Sequence, residues 1–189
     1  MSSPRLYSQK IRLLLLTSIM LVAIGLISVS ALAFSKNTSR QNQAIPADMT
    51  IDKFYVDKSE RVLKLLSQDE VIKTYHIALG DSPVGHKRQE GDERTPTGHY
   101  QLDYKNENSS YYRSIHVSYP NAADTAQAKR RGVSAGGDIM IHGQKNGFGH
   151  LAMLTQRRDW TNGCIAVTDQ EMDEIMAVYK AGMPIEIVE

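Results

Sequence analysis

An uncharged apolar run from Leu13 to Phe34 divides this chain before any other feature can be read. Its 22 residues suffice to cross the ~30 Å hydrocarbon core of a bilayer as a helix, and they would be out of place on a small domain. Residues 1–12 carry Arg5, Lys10 and Arg12 and no acid. That basic flank is expected to stay cytoplasmic, so that the chain beyond Phe34 is exported to the periplasmic or other extracytoplasmic side. An uncleaved inner-membrane anchor is the favoured reading of 13–34. The competing one is a signal peptide with secretion of the domain, because Ala31-Leu32-Ala33 fits a cleavage site, although the run exceeds the usual ~7–15 apolar residues. Residues 35–48 are polar and aperiodic and read as a linker. This leaves 49–189 as one domain, large enough to bury a core without disulfide or metal staples.

From Thr50 the pattern is one of strands. Thr50–Val56, Arg61–Leu66 and Val71–Leu79 are separated by polar turn segments and predict an antiparallel meander. Residues 80–98, rich in Gly, Pro and charge, form a long loop, and a loop of that length is expected to serve as one wall of a cleft. His99–Tyr104 and Ile115–Tyr119 read as further strands joined by the polar stretch 106–112. Ala122–Arg131 predicts a short helix stopped by Gly132, and the run Ile139-Met140-Ile141 a strand closed by His142. Thr168-Asp169-Gln170-Glu171 has the form of a capping box and opens a helix through Lys180, with a last strand at Pro184–Val188. The sum is a mainly β domain with two short helices.

The net charge of +1 speaks against nucleic acid as a partner, since phosphate neutralisation needs a concentrated basic face. Lys129-Arg130-Arg131 is read as the solvated end of a helix. Nine tyrosines against three phenylalanines and one tryptophan favour a half-wet groove over an apolar cofactor pocket. No cofactor is expected, and with one cysteine and no metal-spaced histidine pair, no metal either.

The single cysteine cannot form an intramolecular disulfide, so Cys164 is either a buried small hydrophobe or a retained reactive thiol. Its setting favours the second. In Thr161-Asn162-Gly163-Cys164 a tight turn meets an apolar strand, and successive amides there can converge as an oxyanion hole. Of the six histidines, His142 is the best base: it ends a strand and is followed by Gly143, which leaves room for a substrate. An imidazole there either takes the thiol proton during reaction or holds it beforehand as an ion pair.

His142-Gly143, succeeded after 17 residues by Thr161-Asn162-Gly163-Cys164-Ile165, resembles the signature of the L,D-transpeptidase catalytic (YkuD-type) domain family. Thr95-Pro96-Thr97-Gly98 resembles the family's TP-x-G segment, and the likeness runs from about Ile51 to Val188. The resemblance implies a mixed β-sandwich of the L,D-transpeptidase type and a cysteine acyltransferase of bacterial cell-wall biogenesis and cell shape. Its partners would be peptidoglycan stem peptides and, in some members, a wall-attached lipoprotein. A thioester would form with a stem tetrapeptide, D-alanine would leave, and an amine would resolve the thioester. Carried onto this chain, Cys164 would be the nucleophile and His142 the proton acceptor and donor. Gly143 would orient His142 through its carbonyl, and the Gly163 and Cys164 amides would receive the oxyanion, with Asn162 and Thr161 beside the substrate. Many members have histidine where this chain has Asn162, and arginine where it has Ala166. Loss of that cation bears on donor-carboxylate binding and on the acceptor. The alternatives are therefore a cysteine-dependent hydrolase (an L,D-carboxypeptidase or amidase) and a catalytically silent wall-binding module.

Overall fold

Alternation of apolar and polar residues sets the first three strands. The structure, a computed structural model, describes residues 44–46 and 48–189. The expected segments 1–12 and 13–34, and 35–43 of the linker, lie outside the described residues. Strands β1 (Lys53–Asp57), β2 (Val62–Ser67) and β3 (Glu70–His76) form the expected antiparallel meander. Phe54 and Val56 of β1 and Leu63 and Leu65 of β2 point into the core, while the residues between them face outward or sit half-buried. Gln68 and Asp69 both take positive φ (51° and 64°), the two-residue turn whose twist matches that of the flanking strands.

The remaining strands are β4 (Gly98–Asn106), β5 (Ser114–Val117), β6 (Met140–His142), β7 (Ile165–Ala166) and β8 (Met183–Val188). All eight belong to one sheet in the order β3-β2-β1-β8-β4-β5-β6-β7. The pairs β1–β8 and β6–β7 are parallel, and the others antiparallel. The ends of that order meet: Ala78, just past β3, exchanges backbone hydrogen bonds with Ala166 of β7 (3.0 and 2.8 Å). Leu79 O then accepts from Thr161 N (3.0 Å), and Asp81 N donates to Thr161 O (3.0 Å). The sheet thus curls back on itself, and the two-residue strand β7 is held on both sides, leaving no open edge there. The layers expected of a sandwich are parts of one continuous sheet.

Three α-helices occur among the described residues, one more than expected: α1 (Ala122–Arg130), α2 (Ala152–Thr155) and α3 (Asp169–Val178). A 3-10 turn at Gly149–Leu151 leads into α2, whose four residues are too few to show helical periodicity in the sequence. Asn121 caps α1 and Thr168 caps α3, the latter through the expected box with Glu171. Helix α3 buries Met172, Ile175 and Met176, and stops at Val178 because Tyr179 turns extended. The core joins these side chains to Leu102, Ile115, Ile141, Ile165, Ile185 and Ile187.

Ala78→Pro deletes the N–H given to Ala166 O and strands a buried carbonyl in the closing ladder. A loss of about 1–3 kcal/mol is expected, read as a lower urea midpoint with unchanged slope.

Candidate active site

Pairing between β6 and β7 decides where the reactive groups sit. The parallel register sets Ile141 opposite Ile165 and His142 opposite Ala166. Cys164 stands one residue before β7 and two before Ala166, so the pleat turns it to the same face as Ala166 and His142. Both side chains line a cavity of about 430 Å³.

The turn before Cys164 is fixed by Thr161. Its Oγ1 accepts the Gly163 N–H (3.1 Å) and donates to Cys164 O (2.8 Å), which closes Thr161–Cys164 into a rigid loop. Only glycine serves at 163: φ is +118°, and a Cβ there would lie 2.6 Å from Arg94 O. The two amides expected to receive an oxyanion differ in what they already bond. The Gly163 N–H is already used within the turn, whereas the Cys164 N–H has no acceptor among the described residues. Thr161 is buried and acts through the turn, while Asn162 is exposed at the cavity rim.

His142 is 4% exposed, and its Nδ1 lies 2.6 Å from Gly143 O. A carbonyl only accepts, so Nδ1 carries the proton and Nε2 is left with a lone pair. Burial pushes the imidazole pKa down to about 4, with the Gly143 carbonyl working against it. Burial likewise pushes the Cys164 thiol up, opposed by the Met140 backbone N–H, and Sγ lies 3.5 Å from Asp138 O. Both shifts favour the neutral forms at neutral pH, a thiol directed at Asp138 O and an uncharged imidazole lining the same cavity. Such a pair can transfer its proton as a carbonyl is attacked.

The cavity's other walls were not legible from the motif. Residues 80–98, expected to form one, do not line it; they pack behind the turn, with Arg94 O against Gly163. The wall comes instead from Asn106 at the end of β4, from Ser109, Ser110 and Tyr111 in the polar stretch after it, and from Trp160. The Tyr111 and Trp160 rings stand 4.7 and 5.7 Å from the His142 ring. A lone tryptophan four residues before the cysteine was the available signal for one of them. Among the described residues Asp138 is the only carboxylate in the lining, and no lysine or arginine borders it. The other five histidines lie outside it: His76 meets Gln156 O, His86 pairs with Asp124, and His116 pairs with Asp103. Among the described residues no three His, Cys, Asp or Glu side chains are grouped to hold a metal.

Fold and site together define a mainly β domain in which one thiol and one buried neutral imidazole share a polar, aromatic-walled cleft. The chain belongs to the L,D-transpeptidase catalytic domain family, whose model matches residues 52–187. It is 31% identical over 124 residues to YafK of Escherichia coli (strain K12), a candidate L,D-transpeptidase, covering 62% of this chain and 43% of that protein. The chain therefore spans less than half the length of that relative. Among solved structures it resembles the helical cell shape determining protein Pgp2 from Campylobacter jejuni. That match has a TM-score of 0.57 at 24% identity, over 80% of this chain and 53% of the other. Bd1075 of Bdellovibrio bacteriovorus matches with a TM-score of 0.52 at 19% identity, over 78% and 51% of the two chains. These two show the fold.

Both reactive groups carry a pH dependence. The raised thiol predicts that iodoacetamide alkylates Cys164 of the free protein half-maximally above the ordinary cysteine value of 9.0, whereas a plateau at pH 5–7 would reveal an ion pair. For His142, lowered from 6.5 to about 4, the folded state binds fewer protons than the unfolded one between those values, so stability falls as pH drops through that window. Urea melts at pH 7 and pH 4 should differ by about 3 kcal/mol more in the parent than in His142→Gln.

Proposed function

We propose that this domain is a peptidoglycan L,D-transpeptidase working through a Cys164 thioester. The observation that carries the reading is the hydrogen bond from His142 Nδ1 to Gly143 O, which leaves Nε2 as the base in the cavity shared with Cys164. The thiol proton passes to Nε2 as Sγ attacks the carbonyl between the L-centre of the stem diamino acid and the terminal D-alanine. The amide C–N bond breaks, the proton passes to the leaving nitrogen, and D-alanine departs. An amine of a neighbouring stem then attacks the thioester, its proton returning to sulfur through His142. The Cys164 N–H is the oxyanion donor on this reading, with Thr161 and Gly163 holding the turn that aims it. The work would be done on the extracytoplasmic side of the envelope, with 13–34 as the membrane anchor and a wall-attached lipoprotein as a further acceptor.

A second reading, hydrolysis by the same residues, draws on the lining itself. Ala166 stands buried where many family members carry arginine, and among the described residues no lysine or arginine lines the cavity. The donor's terminal carboxylate thus lacks a charged partner there.

Mass spectrometry of the protein incubated with purified disaccharide-tetrapeptide separates the readings. A dimer lighter than two tetrapeptides by one alanine, absent with Cys164→Ala, is the expected product. Tripeptide without dimer would make water the acceptor, and no product would leave a silent wall-binding module. Cys164→Ala should abolish turnover with little loss of stability, and His142→Ala should slow acylation by ~10²–10⁴-fold.

A further inference from the structure

The peptide unit joining Gly143 to Gln144 has both its polar ends engaged. Its carbonyl oxygen receives His142 Nδ1–H at 2.6 Å, and its N–H donates to Asp169 Oδ1 at 2.7 Å. A trans peptide is planar and stiff, so its C=O and N–H point in opposite directions and fixing one end fixes the other. We infer that Asp169 is a positioning residue for His142, acting through the Gly143–Gln144 peptide to hold the imidazole with its proton on Nδ1 and its lone pair on Nε2. The inference rests on the reading of His142 and Cys164 as base and nucleophile.

The surroundings are shaped for this contact. A Cβ at Gly143 would lie 2.6 Å from Asp169 Oδ1, and one at Gly149 would collide with Asp169 Oδ2. Two glycines, both twenty or more residues before Asp169, therefore leave the space the carboxylate occupies. The Gly143 N–H is tied to Arg113 O (3.2 Å), which keeps the segment in line with β5. The Gln144 side chain is buried and donates to Val167 O (2.7 Å), while its Oε1 accepts from Thr155 Oγ1 (2.5 Å), so the peptide cannot swing away. Asp169 itself opens α3 directly after the Thr168 cap, and Thr168 lies two residues past Ala166 of β7. The chain that carries the nucleophile thus also delivers the carboxylate that orients its base. The hydrogen bond that the Gln144 N–H donates to Asp169 also polarises the carbonyl of the same peptide unit, strengthening its hold on Nδ1–H.

An acidic residue in the first turn of a helix also has an ordinary structural role, in complementing the helix dipole. The test must read something that this role does not move. In the ¹⁵N-labelled full chain at pH 7, the His142 ring nitrogens, assigned by their loss in His142→Gln, should show the Nδ1–H tautomer. Asp169→Asn, which keeps an acceptor for the Gln144 N–H, should preserve it. Asp169→Ala and Asp169→Ser, the latter a good helix-start residue too short to reach that N–H, should shift His142 toward a mixture with the Nε2–H form. In the same variants Cys164 acylation by a carbapenem, followed by mass spectrometry, should slow about 10–100-fold for Ala and Ser at unchanged half-saturating concentration, and only a few-fold for Asn. An unaltered Nδ1–H tautomer in Asp169→Ala or Asp169→Ser would overturn the inference, as would loss of that tautomer in Asp169→Asn. The tautomer readout needs no peptidoglycan turnover, so a parent protein inactive on stem peptides would defeat the proposed function while leaving this result standing.

Discussion

The parallel pairing of β6 with β7 is the contact on which the rest of the site depends. It spans two residue pairs, Ile141 with Ile165 and His142 with Ala166, too few to persist alone. It persists because each strand is held elsewhere. Strand β6 pairs with β5, β7 exchanges hydrogen bonds with Ala78, and Ile141 and Ile165 are fully buried in the core. Closure of the sheet and placement of the thiol are therefore one structural event. The register brings Cys164 and His142 to one face without either residue lying in a flexible loop, and rigid support of this kind is what a reacting pair needs.

Burial then sets the electrostatic state. Removing an imidazole and a thiol from water disfavours the charged form of each, so both rest neutral. Charge would appear only as a carbonyl is attacked, when it can be spread over the forming oxyanion and the imidazolium. The hydrogen bond from Nδ1 to the Gly143 carbonyl would gain strength as the ring became positive, and the Cys164 N–H, without an acceptor among the described residues, belongs to the same residue as the sulfur that would attack on the proposed reading. A resting site of low charge and a reacting site with waiting dipoles is the arrangement that favours the transition state over the ground state.

The meander and the α3 capping box were legible because each rests on local rules: period-two alternation and a side chain returning to a nearby amide. That Cys164 and His142 share one cavity was readable only as two strand ends, and the Gly143 carbonyl that meets Nδ1 only through the family resemblance. What escaped depends on tertiary contact. Tyr111 sits in a stretch that reads only as polar connection, yet its ring lies against His142. Residues 80–98 had the length and composition of a cleft wall, but their backbone packs against Gly163, a contact set by the missing Cβ and invisible in composition. The Gly163 amide looked free because the sequence does not reveal which way the Thr161 hydroxyl turns. Asp169 looked like an ordinary first-turn acid, since nothing local shows that Gln144 lies 2.7 Å away.

Ala166 bears on what such a cleft recognises. Its backbone is hydrogen-bonded to Ala78 on one side, its register partner on the other is His142, and its side chain shares the face of the thiol. An arginine there would place a cation beside the sulfur; with alanine, Asp138 is the only carboxylate among the described lining residues, which otherwise offer hydroxyls, amides, aromatic rings, Met140 and Cys164. Such a lining suits neutral peptide groups, which Ser109, Ser110, Asn106 and Asn162 can meet by hydrogen bonds and Tyr111 and Trp160 by stacking. It gives no charged reward to a terminal carboxylate. Differential binding would then rest on shape and hydrogen bonding more than on charge.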